Sequence, residues 1–158
     1  MFLNKQGLPV FSISEFNIQA YCEVQLKYRW QGIKITTEKM IKGTIKHKKI
    51  ENIFKEQTKH LPEVSVEQAL ELTKQGISSI ARELRIMSKT FRLRGIIDQI
   101  EITPERIIIL DDKPSDKAYL GSKIQLFMYA LAFKDFYRPD LSISVKIRHR
   151  DNGNTVWE

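Results

Sequence analysis

The chain has 158 residues, 42% of them hydrophobic, with a formal net charge of +7. That composition supports a full core and excludes global disorder. No apolar run approaches the roughly 20 residues of a membrane helix, no basic-then-apolar leader opens the chain, and the single cysteine, Cys22, allows no internal disulfide. A reducing cytoplasm is the expected compartment.

The charge is not spread evenly. Residues 27–60 hold ten Lys or Arg against three acids, a local balance of +7 that equals the formal charge of the whole chain. Such a segment suits a polyanion, nucleic acid above all. It also suits a lysine-rich solvated helix face, and charge alone does not decide between them. No repeat, low-complexity tract or linker divides the chain, so residues 1–158 are expected to form one domain.

In chain order, Ser14 precedes Glu15–Cys22 as the capped start of a helix. A second helix is expected over about 37–55. There Met40, Gly43, His47, Ile50 and Phe54 form one stripe, and Lys42, Lys46 and Lys49 lie opposite. Pro62 breaks the chain, and Ser65 caps a third helix expected over 66–84. Isoleucine-rich runs at 91–102 and 106–113, parted by Thr103-Pro104-Glu105, read as an antiparallel hairpin. Residues 84–88 are a candidate strand before it. Residues 119–136 are apolar almost all round and predict a helix packed deep on the sheet, 141–150 alternates as a last strand, and 151–154 makes a turn. The order predicts an α/β layer fold with a mixed sheet.

Alternation puts Ile96, Asp98, Ile100 and Ile102 on one face of the first hairpin strand. In the second strand Ile107, Ile109, Asp111 and Lys113 share a face, and Asp112 points the other way. If the hairpin closes at Ile102 and Ile107, Asp98 and Asp111 oppose each other. Two carboxylates among isoleucines repel and resist desolvation. A divalent cation offsets that cost, and carboxylate ligands favour Mg²⁺ or Mn²⁺. Lys113 can stabilise charge on a phosphoryl group or orient a water. A self-neutralising Asp–Lys ion pair is the structural alternative, although one lysine cannot neutralise two carboxylates. His47 lies on the apolar stripe of its helix, where it is either a hydrogen-bonded core residue or a further ligand. Gln125 and Tyr129 share a helical face and need partners there, either backbone or the site itself.

These residues resemble the motifs of the PD-(D/E)XK nuclease superfamily, specifically its RecB-like branch, which includes the CRISPR-associated RecB-like exonucleases. Gly43–His47 is similar to the branch's G-x-x-x-H helix, Gly95–Asp98 to its G-x-x-D strand, Asp111-Asp112-Lys113 to (D/E)-x-K, and Gln125–Tyr129 to Q-x-x-x-Y. Residues 14–29 around Cys22 resemble the helix that carries the first cluster cysteine of the CRISPR-associated type. The likeness spans about 14–148. It implies a restriction-endonuclease-like core, with His47, Asp98 and Asp111 as ligands of Mg²⁺ or Mn²⁺ and the backbone carbonyl of Asp112 joining them. It implies Lys113 as the catalytic lysine, with Gln125 and Tyr129 shaping the site and contacting DNA. One cysteine is too few for an iron–sulfur cluster, so none is expected unless its other ligands lie outside these residues, a departure from the CRISPR-associated type.

The expected function is metal-dependent hydrolysis of DNA phosphodiester bonds, by an exonuclease of DNA processing or repair. Arg29, Lys42, Lys46, Lys48 and Lys49 would hold the phosphates of single- or double-stranded DNA. A homo-oligomer or a DNA-processing partner protein fits this reading, and a membrane does not. The competing readings are a catalytically inactive RecB-like DNA-binding or assembly module, and a nuclease that acts on RNA or nicks.

Overall fold

The computed structural model describes residues 2–3, 6–33 and 58–158. Within them the order is β1 (Phe2–Leu3), β2 (Pro9–Ser12), α1 (Ile13–Tyr21), α2 (Glu23–Trp30), α3 (Val66–Thr73), β3 (Ser79–Ser88), β4 (Leu93–Ile102), β5 (Arg106–Lys113), α4 (Leu120–Tyr137), β6 (Ser142–His149) and β7 (Thr155–Trp157). The helix expected over 37–55, with Gly43, His47, Lys42, Lys46, Lys48 and Lys49, lies outside the described residues.

The strands make one mixed sheet ordered β1-β2-β4-β5-β6-β7, with β3 also paired to β4. It is the expected α/β architecture, a mixed sheet flanked by helices, consistent with a restriction-endonuclease-like core. The β4–β5 hairpin closes where the isoleucine runs predict, at Ile102 opposite Ile107. Strands β5 and β6 run parallel, so α4 is the crossover that parallel pairing requires. Leu126, Tyr129, Ala132 and Phe133 of α4 pack on Ile97, Ile100, Ile107, Ile109, Val145 and Ile147. Leu120, Phe127 and Phe136 on α4 are exposed, so the helix is less deeply packed than its composition predicts.

Other expectations are corrected. The third helix ends at Thr73, not Leu84. Gly76, at φ +75°, turns the chain, and the residues beyond it form the first half of β3. The N-terminal helix starts two residues earlier than expected, with Ser12 at its cap and Glu15 reaching back to the Ser12 N–H at 2.9 Å. It is also not continuous through Cys22, where an extended backbone separates α1 from α2.

Two features of β4 position the site. The first is its crowded edge. β3 pairs along the whole of one edge, from Ser79 opposite Ile102 to Ser88 opposite Leu93. The other edge is therefore shared: β2 runs parallel at Leu93 and Arg94, and β5 antiparallel from Gln99 to Ile102. Residues 95–98 lie in the fork where these two partners part. The second feature is a break in the pleat. Leu93, Ile97, Ile100 and Ile102 all reach the same core, and so do Ala81, Leu84 and Ile86 of β3. Strict alternation cannot put Ile97 and Ile100 on one face. The phase changes at Glu83, whose φ of +49° is left-handed, opposite Asp98, where no paired register interrupts the β3–β4 ladder between Arg82–Gln99 and Leu84–Ile97. Ile96 therefore does not share the core face with Ile100 and Ile102, as alternation predicts; it is 48% exposed. Asp98 is exposed at the break rather than buried among isoleucines.

Candidate active site

The fork in β4 is filled from two sides. Ile13 and Tyr129 both press on Gly95, where a Cβ would stand 2.6 Å from Tyr129 Cε1 and 3.3 Å from Ile13 Cβ. Gly95 is thus required by close approach. Its absent side chain lets the Tyr129 ring lie against the strand three residues from Asp98. The first residue of the G-x-x-D motif thereby seats the last residue of Q-x-x-x-Y.

Tyr129 links the elements. Burial raises its hydroxyl pKa above the usual tyrosine value, the Asp98 and Asp111 carboxylates push it further up, and hydrogen bonding with the Gln125 side chain and the Ile96 backbone opposes this. Both carboxylates therefore lie within electrostatic reach of one hydroxyl. Gln125 is held in turn, because Asn17 Nδ2 donates to its Oε1 at 3.0 Å. The α1 and α4 helices meet closely there: a Cβ on Gly121 would stand 2.4 Å from Asn17 Oδ1 and 2.9 Å from its backbone oxygen.

Asp111 is the buried carboxylate. Burial raises its pKa, Lys113 opposes the rise, Asp112 adds to it, and Arg150 also opposes it. Lys113 Nζ lies 3.0 Å from Asp111 Oδ2, yet that oxygen has no hydrogen-bond partner among the described residues. Burial outweighs what the ammonium supplies, so the charge is only partly compensated. Asp98 and Asp111 fall in opposed positions if the β4–β5 register is continued, but the ladder stops one pair short, at Gln99 opposite Leu110. The strands separate where the two carboxylates stand.

Asp112 turns to the opposite face, as alternation predicts. Arg148 grips it in a two-pronged pair, Nε to Oδ1 at 2.9 Å and Nη2 to Oδ2 at 3.0 Å. Its backbone carbonyl accepts from Arg150 Nη2 at 3.2 Å and keeps a second lone pair. Arg29 is exposed in the last turn of α2.

The fold therefore brings Asp98, Asp111, Lys113, Gln125 and Tyr129 together at the fork. His47 and the four basic-helix lysines, Lys42, Lys46, Lys48 and Lys49, lie outside the described residues. Among the described residues no group of three His, Cys, Asp or Glu side chains gathers as a metal cage. Sequence reasoning missed Asn17 and Arg150. Asn17 carried no signal that set it apart from Glu15 and Gln19 in the same helix. Arg150 carried none beyond ending a strand.

Among the described residues no helix is long and apolar enough to cross a membrane. No curated protein matches the chain. Residues 2–107 match the model of the exonuclease V family, described as a 5′ deoxyribonuclease; the match takes in Asp98 and ends before Asp111. That match covers about two thirds of the 158 residues, so the chain belongs to the exonuclease V family and is a DNA exonuclease.

Proposed function

We propose that this chain is a RecB-like member of the PD-(D/E)XK superfamily, a Mg²⁺- or Mn²⁺-dependent 5′ deoxyribonuclease whose reaction centre is Asp98, Asp111 and Lys113. The observation that carries the reading is Asp111: a carboxylate with a buried oxygen that no hydrogen bond satisfies, set where β4 and β5 separate beside a second carboxylate. A buried carboxylate whose charge a single lysine only partly offsets is costly to keep, and a divalent cation would complete it.

The donor set fits a hard divalent ion, being carboxylate oxygens with a backbone carbonyl. Asp98, Asp111 and the Asp112 carbonyl would hold it, with His47 as the remaining ligand. When bound, such an ion supplies Lewis-acid polarisation and an acidified water. The protein groups do the rest. Lys113 holds a positive charge at the site and can hydrogen-bond a phosphoryl oxygen as charge develops there. Asp98, exposed at the pleat break, is open to solvent and can orient a water. Tyr129, its proton held more firmly than usual, is a hydrogen-bond donor rather than a base. Asn17 and Gln125 fix its direction.

We read Arg29 with Lys42, Lys46, Lys48 and Lys49 as the phosphate-binding surface, residues 1–158 as one nuclease domain, and the cytoplasm as its compartment. A homo-oligomer or partner protein would add to this surface. No iron–sulfur cluster is part of the reading, on the strength of the single cysteine. The test is incubation with 5′- and 3′-labelled DNA and RNA in Mg²⁺, Mn²⁺ or EDTA. Short products released from DNA 5′ ends, and only with metal, are expected. Undiminished cleavage in EDTA, or none in any metal, overturns the reading. In the second case the inactive DNA-binding module takes its place.

A further inference from the structure

Against Tyr129 and Gly95 the surface folds into a cleft of about 550 Å³. That is within the range of about 300–1,000 Å³ typical of small-ligand sites, enough for a terminal nucleotide and too little for a run of several. Its walls carry two arginines, Arg85 and Arg94, two hydroxyls, Ser12 and Ser14, and the exposed side chain of Ile96. Nothing in the reaction proposed above uses any of them.

The arrangement follows from the sheet. Arg85 pairs with Ile96, and Met87 with Arg94, so Arg85 and Arg94 are diagonal neighbours on one face. Diagonal neighbours stand about 7–8 Å apart, a spacing from which two long guanidinium side chains can converge on one anion. Two like charges on adjacent strands repel each other, and among the described residues no acid pairs with Arg85. The two serine hydroxyls, hydrogen-bonded to each other at 3.0 Å, line the same cleft where β2 hands over to α1, and one hydroxyl proton is left to donate. Guanidinium forks and hydroxyl donors together are the chemistry of phosphate recognition. Ile96, 48% exposed in the middle of the cleft, offers an apolar surface to a sugar or base.

We propose that this cleft, with Arg85, Arg94, Ser12 and Ser14 around it, is the seat of the 5′-terminal phosphate of the DNA strand. The inference rests on the nuclease reading and deepens it. Tyr129 is a wall of both the cleft and the carboxylate site. A strand end held in the cleft therefore presents one of its first phosphodiesters to Asp98 and Asp111. End recognition makes the enzyme an exonuclease by position, and a terminal monoester, carrying more charge than an internal diester, is the preferred occupant of a two-arginine site.

The test is the ratio of kcat/KM for matched single strands that carry a 5′-phosphate or a 5′-hydroxyl. A ratio of roughly ten or more is expected for the wild type, the effect of one or two charge-assisted hydrogen bonds. R85Q and R94Q should each bring the ratio toward one, with R85K intermediate, and S14A should lower it less. Thermal melts check that each variant is folded; Arg85 is an exposed side chain and its replacement should leave the melt unchanged. A wild-type ratio of one overturns the proposal. So does a fall in both substrates by the same factor in the arginine variants, because the cleft then holds internal diesters. Inhibition by inorganic phosphate together with a wild-type ratio of one would assign the cleft to the free ion, and also overturns it. The same ratio read by fluorescence anisotropy of labelled strands needs no turnover. If no strand is cut, the nuclease reading fails separately, and the anisotropy ratio still decides the cleft.

Discussion

Gly95→Ala is the smallest change that tests how the site is built. The added methyl would lie 2.6 Å from Tyr129 Cε1 and 3.3 Å from both Ile13 Cβ and Tyr129 Oη. Ordinary contact begins near 3.4 Å, so the ring must retreat by about 0.8 Å or the strand must shift. Neither is easy, because Ile13 is fully buried and Tyr129 nearly so. Forcing a methyl into such a place costs about 1–3 kcal/mol, a fall in Tm of roughly 2–10 °C for a domain of this size. Displacing the ring also moves the hydroxyl held by Gln125 and Ile96, and a misplacement near 1 Å can cost up to about a hundredfold in rate. The assay is a thermal melt of G95A, Y129A and the double variant, alongside single-turnover DNA cleavage by G95A. In the double variant the methyl enters the space the ring vacates. Its destabilisation should therefore fall short of the sum of the singles by about 1 kcal/mol or more. A G95A protein that melts within about 0.5 kcal/mol of wild type and cuts DNA normally would refute the reasoning, as would strictly additive losses.

Asp111→Asn should stabilise the metal-free protein at neutral pH. Burial raises the folded pKa of Asp111 above the ordinary aspartate value, so the folded state keeps a proton that the unfolded chain releases, and stability falls as pH climbs from about 3.9 through the raised folded pKa. The variant should lose that part of the pH dependence, and Mn²⁺ should raise the Tm of the wild type and much less that of the variant; a wild type indifferent to Mn²⁺ with a destabilised D111N would indicate a plain Asp–Lys ion pair. Asp112→Ala removes the two-pronged partner of the largely buried Arg148 guanidinium, which keeps Glu101 at 3.7 Å, and should cost about 1–3 kcal/mol of stability; an unchanged melt would mean that the pair contributes nothing. Replacing Lys42, Lys46 and Lys49 together with Gln should weaken DNA binding evenly across sequences and flatten its salt dependence; an unchanged slope in a titration at several salt concentrations would separate that surface from the phosphates.

Much of this site could be read from the sequence because its strands are strongly patterned. Isoleucine-rich runs around Thr103-Pro104-Glu105 predict the β4–β5 register, and with it the approach of Asp98 to Asp111. The i, i+4 spacing of Gln125 and Tyr129 predicts their shared face. What escaped depends on backbone events that side-chain periodicity does not record. A left-handed Glu83 in mid-strand shifts the pleat of two strands at once, so simple alternation misplaces Ile96 and buries Asp98 wrongly. Gly76 ends α3 early, but Leu70, Ile77, Ile80 and Leu84 keep a helical spacing that runs on into β3 and hides the change. The shared edge of β4 arises from β2, four residues near the N-terminus whose pairing is long-range and too short for a pattern to reveal. The Arg85 and Arg94 cleft exists only because of the pairing of β3 with β4 and the seating of α1 beside them.

The central claim is that Asp98, Asp111 and Lys113 form one reaction centre in a folded DNA-binding protein. Its most direct test is single-turnover cleavage of 5′-labelled single-stranded DNA in Mn²⁺ by wild type, D98N, D111N and K113M, with fold checked by melting and DNA binding by anisotropy. The account predicts that each variant loses about a thousandfold or more in rate, as groups that act together do, while remaining folded and still binding DNA. Cleavage within tenfold of wild type by D111N or K113M, in preparations shown to be folded, would contradict it.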